Sequence, residues 1–148
     1  MTVTALDELS ARLRDECMPW RRLLIGIDGR DGEGKLTTAR WLAYRLGMPA
    51  LETDTYLLAG ARDYTLRYDE LRRSIESRLD RDRPVLVEGV FLLRTLERIG
   101  LAADVLVYVK KRPAHKHSGL ESQLKRYRAK YRPERTAQYT YRWVEPAG

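Results

Sequence analysis

Residues 23 to 42, LLIGIDGRDGEGKLTTARWL, run from an apolar stretch through a glycine-rich turn into a helix-forming segment. Leu23, Leu24, Ile25 and Ile27 suit a buried strand, and the spacing that follows, Gly29, four residues, Gly34 and Lys35, fits G-x-x-x-x-G-K. Glycines at that spacing let backbone N–H groups curl around an anion, and the helix N-terminus adds its positive dipole end. Gly29, Arg30, Asp31, Gly32, Glu33, Gly34, Lys35, Leu36 and Thr37 are therefore the candidate nucleotide-binding residues. One position departs from the pattern. The motif closes on a Ser or Thr whose hydroxyl binds Mg²⁺, whereas residue 36 is Leu and the nearest hydroxyl is that of Thr37. One helical step turns a side chain by roughly 100°, so the Thr37 hydroxyl is expected to face another phosphate.

The remaining chain alternates short apolar runs with helical periodicity, the pattern of an α/β fold. Leu6, Leu9 and Leu13 mark a docking helix with Thr4 as its expected N-cap. The helix from 35 to 46 ends at Gly47 and Pro49. A second strand over 50 to 54 closes on Thr53 and Asp54, and in open α/β sheets such strand ends face the ligand crevice. Asp54 is the first candidate for a base, against the reading of a solvated turn carboxylate. Residues 55 to 67 show no period, and Tyr56, Arg62, Tyr64 and Arg67 there are candidate substrate contacts or ordinary loop surface. Leu71, Ile75 and Leu79 then mark a helix, and Val85, Leu86 and Val87 a third, buried strand ending in Glu88 and Gly89. Glu88 can hold a substrate group, or with Asp54 and Thr37 anchor a metal; its alternative role is to cap the helix at 91 to 99 that Gly100 stops. The fourth strand is 105 to 109. Ser118 and Glu121 form a capping box for a helix with Leu120, Leu124, Tyr127 and Tyr131 on one face and Lys125, Arg126, Arg128, Lys130 and Arg132 mostly outside. Arg135 and Arg142 fall in a less regular stretch.

A chain of 148 residues, 43% hydrophobic, suits one domain spanning 1 to 148. Residues 1 to 109 hold 17 Lys/Arg against 18 Asp/Glu, whereas residues 110 to 148 hold 11 against 3. The net charge of +7 thus comes from a basic segment near 112 to 142 that meets phosphates, of a nucleotide or of a nucleic acid. Cys17 is the only cysteine, which excludes an intramolecular disulfide and a cysteine metal site, and His115 and His117 lack acidic neighbours. No apolar run approaches the roughly 18 residues of a membrane span, and the acidic N-terminus is unlike a signal peptide. A cytoplasmic protein without membrane contact is expected.

The segments GRDGEGK at 29 to 35, ETD at 52 to 54, RPVLVEGVFLL at 83 to 93 and RYRAKYRPERTAQY at 126 to 139 resemble the uridine-kinase-like branch of P-loop kinases. The resemblance implies a three-layer P-loop NTPase sandwich, with ATP phosphates on Gly29 to Lys35, Mg²⁺, Asp54 near an acceptor hydroxyl, and Arg126, Arg128 and Arg132 in a lid. It implies a parallel sheet in the order 2-3-1-4. Similar proteins add a further apolar strand beyond the Pro146 region, and its absence implies a truncated end, or else a fold that has shed this part, and an exposed fourth strand that favours a homodimer. The leading function is ATP-dependent phosphoryl transfer to a small-molecule hydroxyl, foremost a nucleoside, with Lys35, Asp54, Arg126 and Arg128 as catalytic residues. A nucleotide binder impaired by Leu36 is the second reading, and a nucleic-acid-binding module using the basic tail the third.

Overall fold

In the computed structural model, which describes residues 1–114 and 119–146, the expected apolar runs form the centre of one parallel sheet. The elements in chain order are β1 (Thr2–Val3), α1 (Leu6–Cys17), β2 (Leu23–Gly29), α2 (Lys35–Leu46), β3 (Ala50–Glu52), a 3₁₀ turn (Thr53–Tyr56), α3 (Tyr68–Leu79), β4 (Pro84–Glu88), α4 (Leu92–Arg98), β5 (Val105–Arg112), α5 (Glu121–Tyr131), α6 (Pro133–Thr136) and β6 (Tyr139–Val144). The sheet order is β1-β6-β5-β2-β4-β3, and every pairing is parallel.

Alternation along the strands builds the layers. Ile25, Ile27, Val107 and Val109 point to the face covered by α1 and α2, where they pack with Leu9, Leu13, Ala39 and Leu42. Leu24, Val85, Val87 and Leu106 point the other way, against Leu71, Ile75, Leu79, Leu92 and Leu96 of α3 and α4. Successive strand residues face opposite sides, so both faces of the apolar runs are buried and the three-layer sandwich follows. Each fully buried Leu, Ile or Val contributes about 1.5–3 kcal/mol. Gly26 brings α4 close, because a Cβ there would sit 2.9 Å from the Leu92 side chain. Gly47 (φ 67°) and Gly100 (φ 74°) stop α2 and α4 in the left-handed region, as the sequence indicates.

Four features differ from expectation. The four expected strands keep their order as β3-β4-β2-β5, but the sheet has six strands: Tyr139–Val144 supplies a fifth, and Thr2–Val3 pairs with it as a sixth. The strand expected to be missing is therefore present, and β5 is paired on both sides, which removes the argument for self-association from an exposed fourth strand. Thr4 does not cap α1, whose N-cap is Ala5 without a side-chain bond. Helix α5 starts after Leu120, also without a side-chain cap, and Ser118 of the expected capping box lies outside the described residues, as do His115 and His117. Glu88 caps nothing, since α4 begins after Phe91 in the left-handed region (φ 56°). Among the described residues, no helix is long and apolar enough to cross a membrane.

Candidate active site

The glycine-rich turn joins the C-terminal end of β2 to the first turn of α2, and its backbone is held from below. A Cβ at Gly29 would lie 2.6 Å from the Val109 carbonyl oxygen, and one at Gly34 (φ 91°) 2.9 Å from the Trp143 ring, so only glycine fits at either place. The Trp143 indole Nε1 donates to the Glu33 carbonyl at 2.9 Å. The Glu33 carboxylate turns inward, buried, and accepts the Lys111 amide at 3.0 Å. The carboxylate braces the loop against β5, and the carbonyl braces it against β6. Lys35 is also buried, and its Nζ donates to the Arg30 carbonyl at 3.0 Å, across the loop.

Beyond the loop lies a cavity of about 460 Å³, walled by Gly32, Lys35, Leu36, Asp54, Tyr64 and Glu88 among others. Three parts of the chain distant in sequence thus converge: the loop, the turn after β3 and the end of β4. Asp54 Oδ1 accepts the Tyr64 hydroxyl at 2.7 Å. Glu88 is buried, and burial pushes its carboxyl up from 4.5 to about 7; Lys35 opposes the rise, while Asp54, Glu52 and Asp28 add to it. Glu52, opposite Glu88 in the β3–β4 register, is neutralised by two bonds from Arg40, at 2.7 and 3.2 Å.

The donor set fits a nucleotide phosphate: a backbone-lined turn, the unpaired first amides of a twelve-residue helix and one buried ammonium. For a divalent cation, Leu36 contributes no oxygen to the wall, and Thr37 is exposed on α2 outside it. Asp54 and Glu88 remain, and among the described residues no cluster of three or more His, Cys, Asp or Glu forms. Two carboxylates together with substrate phosphates suffice for Mg²⁺, which keeps several waters.

A residue that the sequence reading passed over lies beneath the loop. Asp28, buried at the end of β2, accepts the Gly29 amide at 2.8 Å and a short hydrogen bond from the Tyr127 hydroxyl of α5. Burial raises its carboxyl from 3.8 to about 6, against the pull of Tyr127, Gly29 and Lys35. Tyr127 in turn accepts the Leu93 amide at 2.9 Å, joining β2, α4 and α5 through one phenol. A carboxylate interrupting a buried apolar strand is the signal that could have found it. Arg30 adds a second tie to α5, donating to both Glu121 carboxylate oxygens at 3.1 Å.

The other expected residues separate. Tyr56 donates to Ser74 at 2.9 Å and packs with the α3–α4 core, away from the cavity. Arg62 is exposed and lines neither cavity described here. Tyr64 stands between two cavities, the second of about 530 Å³, whose wall includes Arg94, Arg98, Gln123, Arg126 and Lys130. Arg126 thus faces this second space, not the one holding Lys35. Arg128 and Arg132 line a separate hollow of about 340 Å³ with Tyr108, Glu134 and Arg135.

No family model and no curated protein matches the chain. Solved structures do. A possible uridine kinase from Bacillus stearothermophilus superimposes with a TM-score of 0.63 at 16% identity, covering 92% of this chain and 96% of that one. A chain named as a fructose transport system kinase from Silicibacter gives 0.54 at 16% identity, over 97% and 100%. Shikimate kinase from Bacteroides thetaiotaomicron gives 0.50 at 16% identity, over 81% and 86%. The chain has the P-loop kinase fold.

Proposed function

We propose that the chain catalyses ATP-dependent phosphoryl transfer to a hydroxyl group of a small molecule. The observation that carries this reading is the shared cavity in which Lys35 and the glycine-rich turn face two strand-end carboxylates, Asp54 and Glu88. Lys35 and the turn amides hold the β- and γ-phosphates. Asp54, kept in place by Tyr64, takes the proton of the acceptor hydroxyl as its oxygen bonds to the γ-phosphorus and the bond from that phosphorus to the β-phosphate breaks. When bound, Mg²⁺ neutralises charge on the phosphates, and Asp54 and Glu88 are the residues that would hold it. Arg126 and Arg128, the lid arginines of the resemblance, line hollows other than the one holding Lys35 and would have to turn toward the phosphates to act on them. Within this reading a nucleoside is the acceptor that the sequence resemblance favours, with the Tyr64 ring beside the cavity as a contact for its base.

Calorimetric titration of ATP with and without Mg²⁺ tests the reading. Binding should tighten with Mg²⁺, and Lys35→Ala should weaken it at least about a hundredfold, the loss of a buried charged donor; unchanged affinity in that variant would remove the loop from the site. Leu36 in the cavity wall supports a second reading, a nucleotide binder with impaired transfer. Under it, Leu36→Ser restores the missing hydroxyl and raises Mg²⁺-dependent turnover by about tenfold or more; no gain favours the intact enzyme.

A further inference from the structure

We infer that the acceptor held in the second cavity is an anionic polyol, a hydroxyl compound carrying its own phosphate or carboxylate. The inference rests on the phosphoryl-transfer reading and changes its acceptor from a neutral nucleoside to a charged molecule. Arg94 and Arg98 of α4 and Arg126 and Lys130 of α5 line one space with a single carboxylate, Asp63. Some cations elsewhere on the molecule pair with carboxylates, as in Arg40–Glu52, Arg72–Glu76 and Lys110–Glu134. None of these four has an ion-pair partner among the described residues. Three are instead supported by aromatic rings: Arg94 lies 4.3 Å from the Phe91 ring centre, Arg98 4.4 Å from Tyr68, and Lys130 5.3 Å from Tyr131. A ring fixes a cation without neutralising it. The cavity therefore gathers positive charge that no carboxylate of an ion pair neutralises, and a bound anion would meet it there.

A second observation in the same wall concerns a neutral group. The side-chain oxygen of Gln123 is enclosed and has no hydrogen-bond partner, alone in this among the described residues. Buried acceptors are almost always satisfied, and here the missing donor matches a ligand hydroxyl. Anion-binding cations and an acceptor for a hydroxyl thus line one space, and Tyr64 separates that space from Asp54. A molecule seated with its charge among Arg94, Arg98, Arg126 and Lys130 presents its far end toward the proposed base.

The test is calorimetric titration of D-ribose 5-phosphate, D-ribonate, inorganic phosphate, D-ribose and uridine into the full chain with its loop filled by a non-hydrolysable ATP analogue. The sugar phosphate or the ribonate, distinguishing the two sources of negative charge, should bind at least about tenfold tighter than ribose or uridine. R94Q/R98Q should weaken that anion about tenfold or more, R94K/R98K should recover part of the loss, and Q123E should repel it, all with analogue affinity unchanged. Equal or tighter binding of ribose or uridine, no saturable binding of any anion, or anion affinity indifferent to R94Q/R98Q and to Q123E overturns the inference. Failure of the nucleotide analogue to bind would instead sink the kinase reading, and the same panel run without it still decides the anion site.

Discussion

The two cavities that meet at Tyr64 are built on opposite principles. Around the glycine-rich turn the buried polar groups already have partners within the chain: Asp28 with Gly29 and Tyr127, Glu33 with Lys111, the Glu33 carbonyl with Trp143, and Lys35 with the Arg30 carbonyl. In the neighbouring space three of the four cations stand on aromatic rings, and the Gln123 oxygen has no partner. The first wall is finished as structure and keeps its shape by internal bonds. The second is left incomplete, and a ligand would complete it. The contrast separates what the fold must hold rigid from what a substrate must supply.

The largest test of that contrast is Tyr127, which belongs to both regions. Its ring lines the cationic cavity, and its hydroxyl secures Asp28 under the turn. Tyr127→Phe keeps the ring but leaves the Leu93 amide and an Asp28 oxygen buried and unpaired. At about 1–3 kcal/mol for each such group, the variant should lose about 3 kcal/mol in urea unfolding at pH 7.5. The Asp28 carboxyl, deprived of a donor to its ionised form, should also titrate above its present value of about 6. A loss under 1 kcal/mol would mean that the phenol is not a structural tie and that the finished wall is looser than its hydrogen bonds indicate.

Much of this was legible from short-range pattern. The β2–turn–α2 unit follows from glycine spacing within one stretch, and the convergence of Asp54 and Glu88 on Lys35 follows from strand-end placement in a parallel sheet. Strand β6 was not legible, because YTYRWV mixes arginine and aromatics on a half-exposed strand and lacks the apolar run by which β2, β4 and β5 announce themselves. Thr2–Val3 is two residues long and becomes a strand only because β6 is there to pair with. Tyr127 was readable as a core residue from its spacing, but its hydroxyl serves Asp28, 99 residues earlier. The inward turn of Glu33 likewise depends on Lys111, 78 residues away, which local sequence does not reveal.

A test of intermediate size concerns Glu88, where the finished wall carries a cost. Burial raises this carboxyl from 4.5 to about 7, so the folded chain holds its proton more tightly than the unfolded chain does. The contribution to stability is therefore fully present below about pH 4.5, falls as pH rises toward 7, and is constant above. Over that interval the ionised side chain costs on the order of 3 kcal/mol, part of it relieved by relaxation. Glu88→Gln should gain about 2 kcal/mol over the parent chain at pH 8 and nothing at pH 4, while phosphoryl transfer falls. Paired urea titrations across that range check it; a gain that does not change with pH would show that burial does not penalise the Glu88 carboxylate.

The smallest expected effect isolates the two regions from each other. Trp143 reaches the turn from β6, its indole N–H on the Glu33 carbonyl and its ring against the Gly34 backbone, and it lines no part of the cationic cavity. Trp143→Phe keeps most of the apolar contact and removes one neutral donor, a loss of about 1 kcal/mol. If the turn owes its shape to such internal bonds, ATP affinity should fall about three- to fivefold, while anion affinity in the second cavity stays as in the parent chain. Equal losses at both sites would tie the cavities into one cooperative unit. Loss at the second site alone would reverse the assignment of the finished and the incomplete wall. Either result is read from two titrations on one variant, because the indole meets the turn, Lys111 and the neighbouring core but lines no part of the cationic cavity, whose cations Arg126 and Lys130 α5 carries on a separate element.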